Sequence, residues 1–410
     1  MKLTNFKKRK ITFTIFTLLI ILNLSCYAQE NNRNTEISTN ERQEETKEII
    51  VAAEKINEYI HLLKNKSVAL VVNQTSRTKN KHLVDLLVDE KINIKTIFAP
   101  EHGFRGKADA GEKVENGIDT KTSLPIISLY GKHKKPYPED LENIDIVVFD
   151  IQDIGVRFYT YISTLHYVME ACAENNVKLL ILDRPNPNGS YVDGNILDMK
   201  FKSFVGMHAI PIVHGMTIAE YAKMINGEKW LTNGINCDLE IIKCDNYNRN
   251  LYYNLPVKPS PNLPNNKAIN LYPSICFFEG TDISVGRGTK FPFQVIGSPK
   301  IKNDNAKFQF TPKSTEGAKH PKHENNICYG YDLRNSDILN NIDLSYLINM
   351  YNSYSDKNHF FLENNFIDLL AGTDKLRKDI IAGKSEKEIK ASWQKGLKDF
   401  EKIRKKYLLY

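Results

Sequence analysis

The chain has 410 residues, 41% hydrophobic and 26% charged, enough for a globular body with a sizeable core and outside the composition of a disordered chain. Its formal net charge is +7, but Lys2, Lys7, Lys8, Arg9 and Lys10 precede residue 28 with no acid beside them; +7 less these five leaves +2 for the rest. The basic balance belongs to the N-terminus and gives no argument for a nucleic-acid partner.

That N-terminus reads as an export signal over residues 1–28: a basic region to Lys10, then the apolar run Ile11–Leu24, short for a spanning helix. Cleavage after Ala28 is one processing route. Cleavage before Cys26 with its lipidation, which would tether the protein to a membrane, is the other. Asn23 stands where lipoprotein sites usually carry Leu, which favours a soluble exported protein, periplasmic or secreted. Residues 29–47 are polar and nearly devoid of apolar side chains, as in a flexible spacer.

From residue 48 the pattern becomes that of a folded body. Glu48–Leu63 predicts an amphipathic helix, Ser67–Val72 a buried strand, His82–Asp89 a helix and Ile92–Phe98 a strand. Ile144–Asp150 is a third strand, Thr164–Glu174 a helix, and Val177–Asp183 a fourth strand. Ile210–Val213 has strand character, and Thr217 is placed to cap a helix over Ile218–Ile225. Alternating strands and helices imply an α/β fold: a Rossmann-like parallel sheet with helices on both faces, over 48–265. The Pro- and Asn-rich stretch 245–275 predicts an extended connection. A smaller α+β C-terminal domain follows over 266–410, ending in a helix over Ile389–Lys406. No strand is followed by GxGxxG, so the architecture implies no nucleotide.

Parallel strands put their carboxyl ends on one edge of the sheet, where ligands gather. The predicted ends supply Asn73 and Gln74; Glu101, His102 and Arg105; Asp150, Gln152, Asp153, Arg157, Tyr159 and Tyr161; Asp183, Arg184 and Asn186; and His214. Asn262, Glu279, Arg287 and Thr289 come from the later region. Carboxylates and amides pair with sugar hydroxyls, tyrosines offer flat faces to a sugar ring, and arginine suits an anionic substituent. Glu101, after Phe98-Ala99-Pro100, is the first candidate for a general acid. His102, Asp150, Asp153 and Glu279 are further catalytic candidates, Glu279 being the natural second carboxylate. Against each stands a structural role: ion pairing for Glu101, helix capping for Asp150 and Asp183, loop bridging for Arg157, core packing for one of the tyrosines. No HxH, HExxH, CxxC or GxSxG motif occurs, so neither a metal site nor a serine-esterase elbow is expected, and no cofactor. Of the six cysteines, Cys237 and Cys244 are the nearest pair for a disulfide, with buried free thiols the favoured alternative.

The ordered set Glu101-His102-Gly103-Phe104-Arg105-Gly106, Asp150 to Arg157, Asp183-Arg184-Pro185-Asn186-Pro187, Pro259-Ser260-Pro261-Asn262, Glu279-Gly280-Thr281, Ala371 to Asp374 and Lys406 to Tyr410 resembles the NamZ exo-β-N-acetylmuramidase family. The resemblance spans roughly residues 50–410. It implies a cleft between a Rossmann-like domain and a smaller one, Glu101 as catalytic acid, and release of terminal N-acetylmuramic acid from peptidoglycan-derived glycans or muropeptides. An exported sugar-binding protein without catalysis, or an exported esterase or amidase, are the alternatives.

Overall fold

A computed structural model describes residues 47–104, 112, 115–301 and 308–410. The four apolar runs become the centre of one sheet: β1 (Ser67–Val72), β2 (Asn93–Ala99), β5 (Ile146–Asp150) and β6 (Lys178–Leu182). Three shorter strands complete it: β3 (Gly117–Ile118), β4 (Pro125–Ser128) and β7 (Leu239–Ile242). The order is β3-β4-β2-β1-β5-β6-β7, parallel throughout except that β3 runs antiparallel to β4. The chain therefore builds outward from β1 through β2 to β4, returns to β5, and builds outward again. The point of return lies between β1 and β5, the usual ligand position of such sheets.

Alternate residues of the central strands feed two cores. Val68, Leu70 and Val72 join Tyr59 and Leu63 of α1 (Ile56–Leu63) and Leu83, Val84 and Leu87 of α2 (Leu83–Asp89). Ala69, Val71, Val147 and Phe149 join α3 (Tyr161–Glu174) and α4 (Ile218–Gly227) on the other face. Helices thus cover both faces, as the unbroken apolar strands require. Thr217 caps α4: its hydroxyl accepts from Glu220 N, while Glu220 Oε2 accepts from Thr217 N.

The second core continues beyond residue 265, through α5 (Asn266–Ile275) into the C-terminal part. There β8 (Val295–Ser298), β10 (Cys328–Asp332) and β9 (Phe308–Phe310) form a three-stranded antiparallel sheet. Five helices follow: α6 (Ser345–Ser353), α7 (Phe366–Ala371), α8 (Lys375–Ile381), α9 (Glu386–Ala391) and α10 (Gln394–Arg404). Residues Ile49–Tyr410 form a single unit.

Several elements differ from expectation. Ile210–Val213 is no strand; Pro211 lacks an N–H, and Val213 makes only isolated bridges to Val156 and Asp193. The stretch 245–275 ends in α5, which carries Pro273 inside it. The helix expected over Ile389–Lys406 is two, broken at Ser392-Trp393. Cys237 does not approach Cys244 as a disulfide; Cys172 and Cys237 share a thiol hydrogen bond, and Cys244 bonds to the Asp183 carbonyl at 3.2 Å.

Candidate active site

Strand β2 ends at Ala99, and the chain turns sharply. Gly103 N bonds to Pro100 O at 2.9 Å, with His102 and Gly103 both in the left-handed region at φ 70° and 75°. A non-glycine residue held there is a local cost that surrounding structure must offset, and such positions cluster at functional sites. The turn aims Glu101 and His102 into a cavity of about 500 Å³. Tyr130 and Lys134, from the loop after β4, line one side, with Tyr159 and Thr160 from the segment after β5. Ser260, Tyr272, Glu279, Arg287 and Phe293 close it from the later half, and Phe366 and Leu370 of α7 complete it.

Two carboxylates therefore share one cavity, and they are held differently. Tyr130 OH donates to Glu101 Oε1 at 2.9 Å, and Thr160 Oγ1 to Oε2 at 2.6 Å. Hydroxyls donate to a carboxylate and accept from a carboxylic acid, so this pair can position Glu101 in either protonation state. Burial and the Glu101 charge push the Tyr130 phenol up, which keeps it a donor. Glu279 instead faces Arg287 at 3.0 Å. Burial pushes its carboxyl up, but Arg287 and Lys322 outweigh burial and hold it below the usual range as an anion. Among the described residues no group of His, Cys, Asp and Glu is placed to hold a metal.

The expected cluster separates into two sets. Glu101, His102, Tyr159, Glu279 and Arg287 line the cavity. The rest of the described candidates are committed to other protein groups. Asp150 is sealed in a two-pronged pair with Arg184, at 2.5 and 2.9 Å, so neither is available to substrate. Arg157 is fully buried; Nη1 donates to the carbonyls of Asn195 (2.9 Å) and Ile210 (2.7 Å), and Nη2 to those of Leu370 (3.2 Å) and Ala371 (2.6 Å). It bridges loops. Asp183 accepts from Ala219 N at the start of α4 and from Tyr410 OH.

Asn186 bonds to Met216 O and Asn188 N, and its side chain fills the space where a Cβ on Gly155 (φ 76°) would fall, 2.2 Å away. Gln152 donates to Asp153 O and Pro185 O. Asn73 donates to Tyr161 OH; Tyr161 lies wholly in the core, and Tyr159, buried in the same core, also reaches the cavity. Gln74 donates to the carbonyls of Lys258 and Pro259. Asn262 donates to Gly317 O, and Thr289 closes a turn on Gly286 O. His214 is buried, and burial with nearby Arg404 and Arg157 lowers it to about 3, leaving a neutral ring. Asp153 does not line the cavity; Oδ2 accepts from Gly155 N, Oδ1 has no partner among the described residues, and burial raises the carboxyl to about 7. Arg105, residues 1–28 read as an export signal and residues 29–46 of the stretch read as a spacer lie outside the described residues.

The family described as "Exo-beta-N-acetylmuramidase NamZ" matches with its N-terminal part over residues 68–267 and its C-terminal part over 270–410. The chain belongs to the NamZ exo-β-N-acetylmuramidase family. It is 40% identical over 379 residues to the peptidoglycan beta-N-acetylmuramidase NamZ of Bacillus subtilis (strain 168), which covers 86% of this chain and 89% of that one. Two crystal structures of DUF1343 family proteins from Bacteroides fragilis NCTC 9343 share the fold. One has 49% identity and a TM-score of 0.82, the other 29% and 0.75; each comparison covers 88% of this chain and 99% of the other.

Within this NamZ fold, sequence reasoning missed Tyr130, Lys134 and Thr160. Tyr130 and Lys134 follow β4, whose run Leu124-Pro125-Ile126-Ile127-Ser128-Leu129 carried a short strand signal of its own. Thr160 lies between the two tyrosines that were singled out.

Proposed function

We propose that this protein is an exported exo-acting glycoside hydrolase that releases N-acetylmuramic acid from the non-reducing ends of peptidoglycan fragments, with Glu101 as general acid. The observation that carries the reading is the pairing of Glu101 and Glu279 in one cavity of about 500 Å³, roomy enough for a sugar ring. Glu101 protonates the glycosidic oxygen as the aglycone leaves, and Tyr130 and Thr160 keep its carboxyl oriented through the proton transfer. Glu279, an anion beside Arg287, stabilises the positive charge that develops at the anomeric carbon or activates the attacking water. Tyr159, Tyr272 and Phe293 give the ring apolar surface to rest on. Export is supported by the basic and apolar pattern of residues 1–28.

The test is incubation with a short glycan ending in N-acetylmuramic acid, followed by mass spectrometry. Release of the free monosaccharide is expected. Tight sugar binding with no release would favour a binding protein instead.

A further inference from the structure

We propose that Lys134 recognises the anionic substituent of the substrate, the lactyl carboxylate by which muramic acid differs from glucosamine. This rests on the reading of the cavity as a muramic acid site. Glu279 brings negative charge to the cavity, and an anionic sugar entering it needs a cation to offset that repulsion. Among the described residues lining the cavity, the cations are Arg287 and Lys134.

Arg287 is engaged already: Nε donates to Glu279 at 3.0 Å, and the guanidinium sits 5.0 Å from the Phe293 ring centre. Lys134 is not. It is half-buried, and among the described residues its ammonium has no carboxylate partner and no hydrogen bond. Its neighbour Lys135 shows the contrast, pairing with Glu170 at 2.9 Å and Glu174 at 2.6 Å.

Lys134 Nζ rests instead 4.7 Å from the Phe204 ring centre, a contact that orients a cation without neutralising it. Phe204 in turn lies 6.1 Å from the Tyr130 ring, and Tyr130 OH touches Glu101. The acid, the two rings and the ammonium form one continuous wall. A sugar whose glycosidic oxygen meets Glu101 lies along it. A carboxylate on that sugar would gain a charge-assisted hydrogen bond from Lys134, and a neutral analogue would not.

The test measures kcat/KM on a chromogenic β-N-acetylmuramide and on its lactyl methyl ester, for wild type, Lys134→Met and Lys134→Arg. Wild type is expected to favour the acid by about 10- to 100-fold. In Lys134→Met the ratio of acid to ester falls towards one, and Lys134→Arg restores most of it. Matching melting curves show that the variants are folded. An active wild type whose preference survives in Lys134→Met overturns this assignment alone. A wild type that cleaves neither glycoside overturns the muramidase reading and this assignment with it.

Discussion

Replacing Arg157 by methionine should cost stability rather than substrate contact. The guanidinium is fully buried and joins four carbonyls from three separate segments. Two of them keep a second donor: Ile210 O has Leu197 N, and Ala371 O has Asn195 Nδ2. The carbonyls of Asn195 and Leu370 depend on Arg157 among the described residues. A buried acceptor left without a partner costs about 1–3 kcal/mol, so the pair gives about 2–6 kcal/mol. Removing the charge also relieves its desolvation, which keeps the loss below what four full bonds would give. Even the lower figure is large against a typical total of about 5–15 kcal/mol. Lysine is no remedy, because one ammonium cannot span the fork of carbonyls that the guanidinium reaches. The assay is urea unfolding followed by tryptophan fluorescence, with turnover measured on the same preparations. Arg157→Met should unfold at distinctly lower urea, and Arg157→Lys in between. An unchanged midpoint together with lost turnover would refute the reasoning and return Arg157 to the substrate site.

Glu101→Gln keeps one acceptor oxygen for a hydroxyl, its amide N–H can donate to the other, and it has no acidic proton to give, so kcat should drop about 10²- to 10⁴-fold with the melting temperature little changed; near-normal turnover would sink the acid assignment. Tyr130→Phe and Thr160→Val each remove one hydrogen bond to Glu101 and should each lower kcat/KM by about tenfold, as steady-state kinetics would show. Asp153 is raised to about 7 in the fold, against about 4 when unfolded, so the native state holds its proton over that window and its contribution to stability is lost as pH rises from about 4 to 7. Asp153→Asn should therefore melt less differently at pH 5 and pH 8 than wild type does; an identical pH response in the two proteins would refute the shift. Cys172, Cys237, Cys244, Cys276 and Cys328 are buried thiols and should react with a maleimide only after denaturation, as peptide mass spectrometry would read.

The central strands were legible because continuous apolar runs such as Ser67–Val72 have few other uses than a sheet covered on both faces. The short outer strands were not read: Pro125–Ser128 is a brief apolar run that went unused, and Leu239–Ile242, at the sheet edge, owes its conformation to the neighbour it pairs with. Ile210–Val213 failed for the opposite reason, being apolar yet interrupted by proline. For the site, residue types were legible and their directions were not. Asp150 with Arg184, and Glu279 with Arg287, are the same chemical pair in sequence. The first is sealed beneath the strand ends; the second borders the cavity. Only the packing above each pair decides which one meets a ligand.

That division has a physical consequence for the cavity. The usual ligand position between β1 and β5 is filled by the protein itself: Asn73, Ser76, Asp150 and Arg184 bond to one another or to adjacent backbone there. The network holds the segment after β5, from which Tyr159 OH donates to Pro259 O at 2.8 Å and Tyr161 OH at 3.4 Å. Gln74 Nε2 reaches the same carbonyl at 3.1 Å. Three side chains thus fix Pro259 at the start of the chain's later half, which carries Glu279, while the turn after β2 carries Glu101. A displacement of about 1 Å between two catalytic groups can cost about 10²-fold in rate. On the proposed reading of Glu101 and Glu279 as the catalytic pair, the buried polar residues at the strand ends serve the reaction without touching substrate: they fix the segment against which the later carboxylate is set opposite the earlier one.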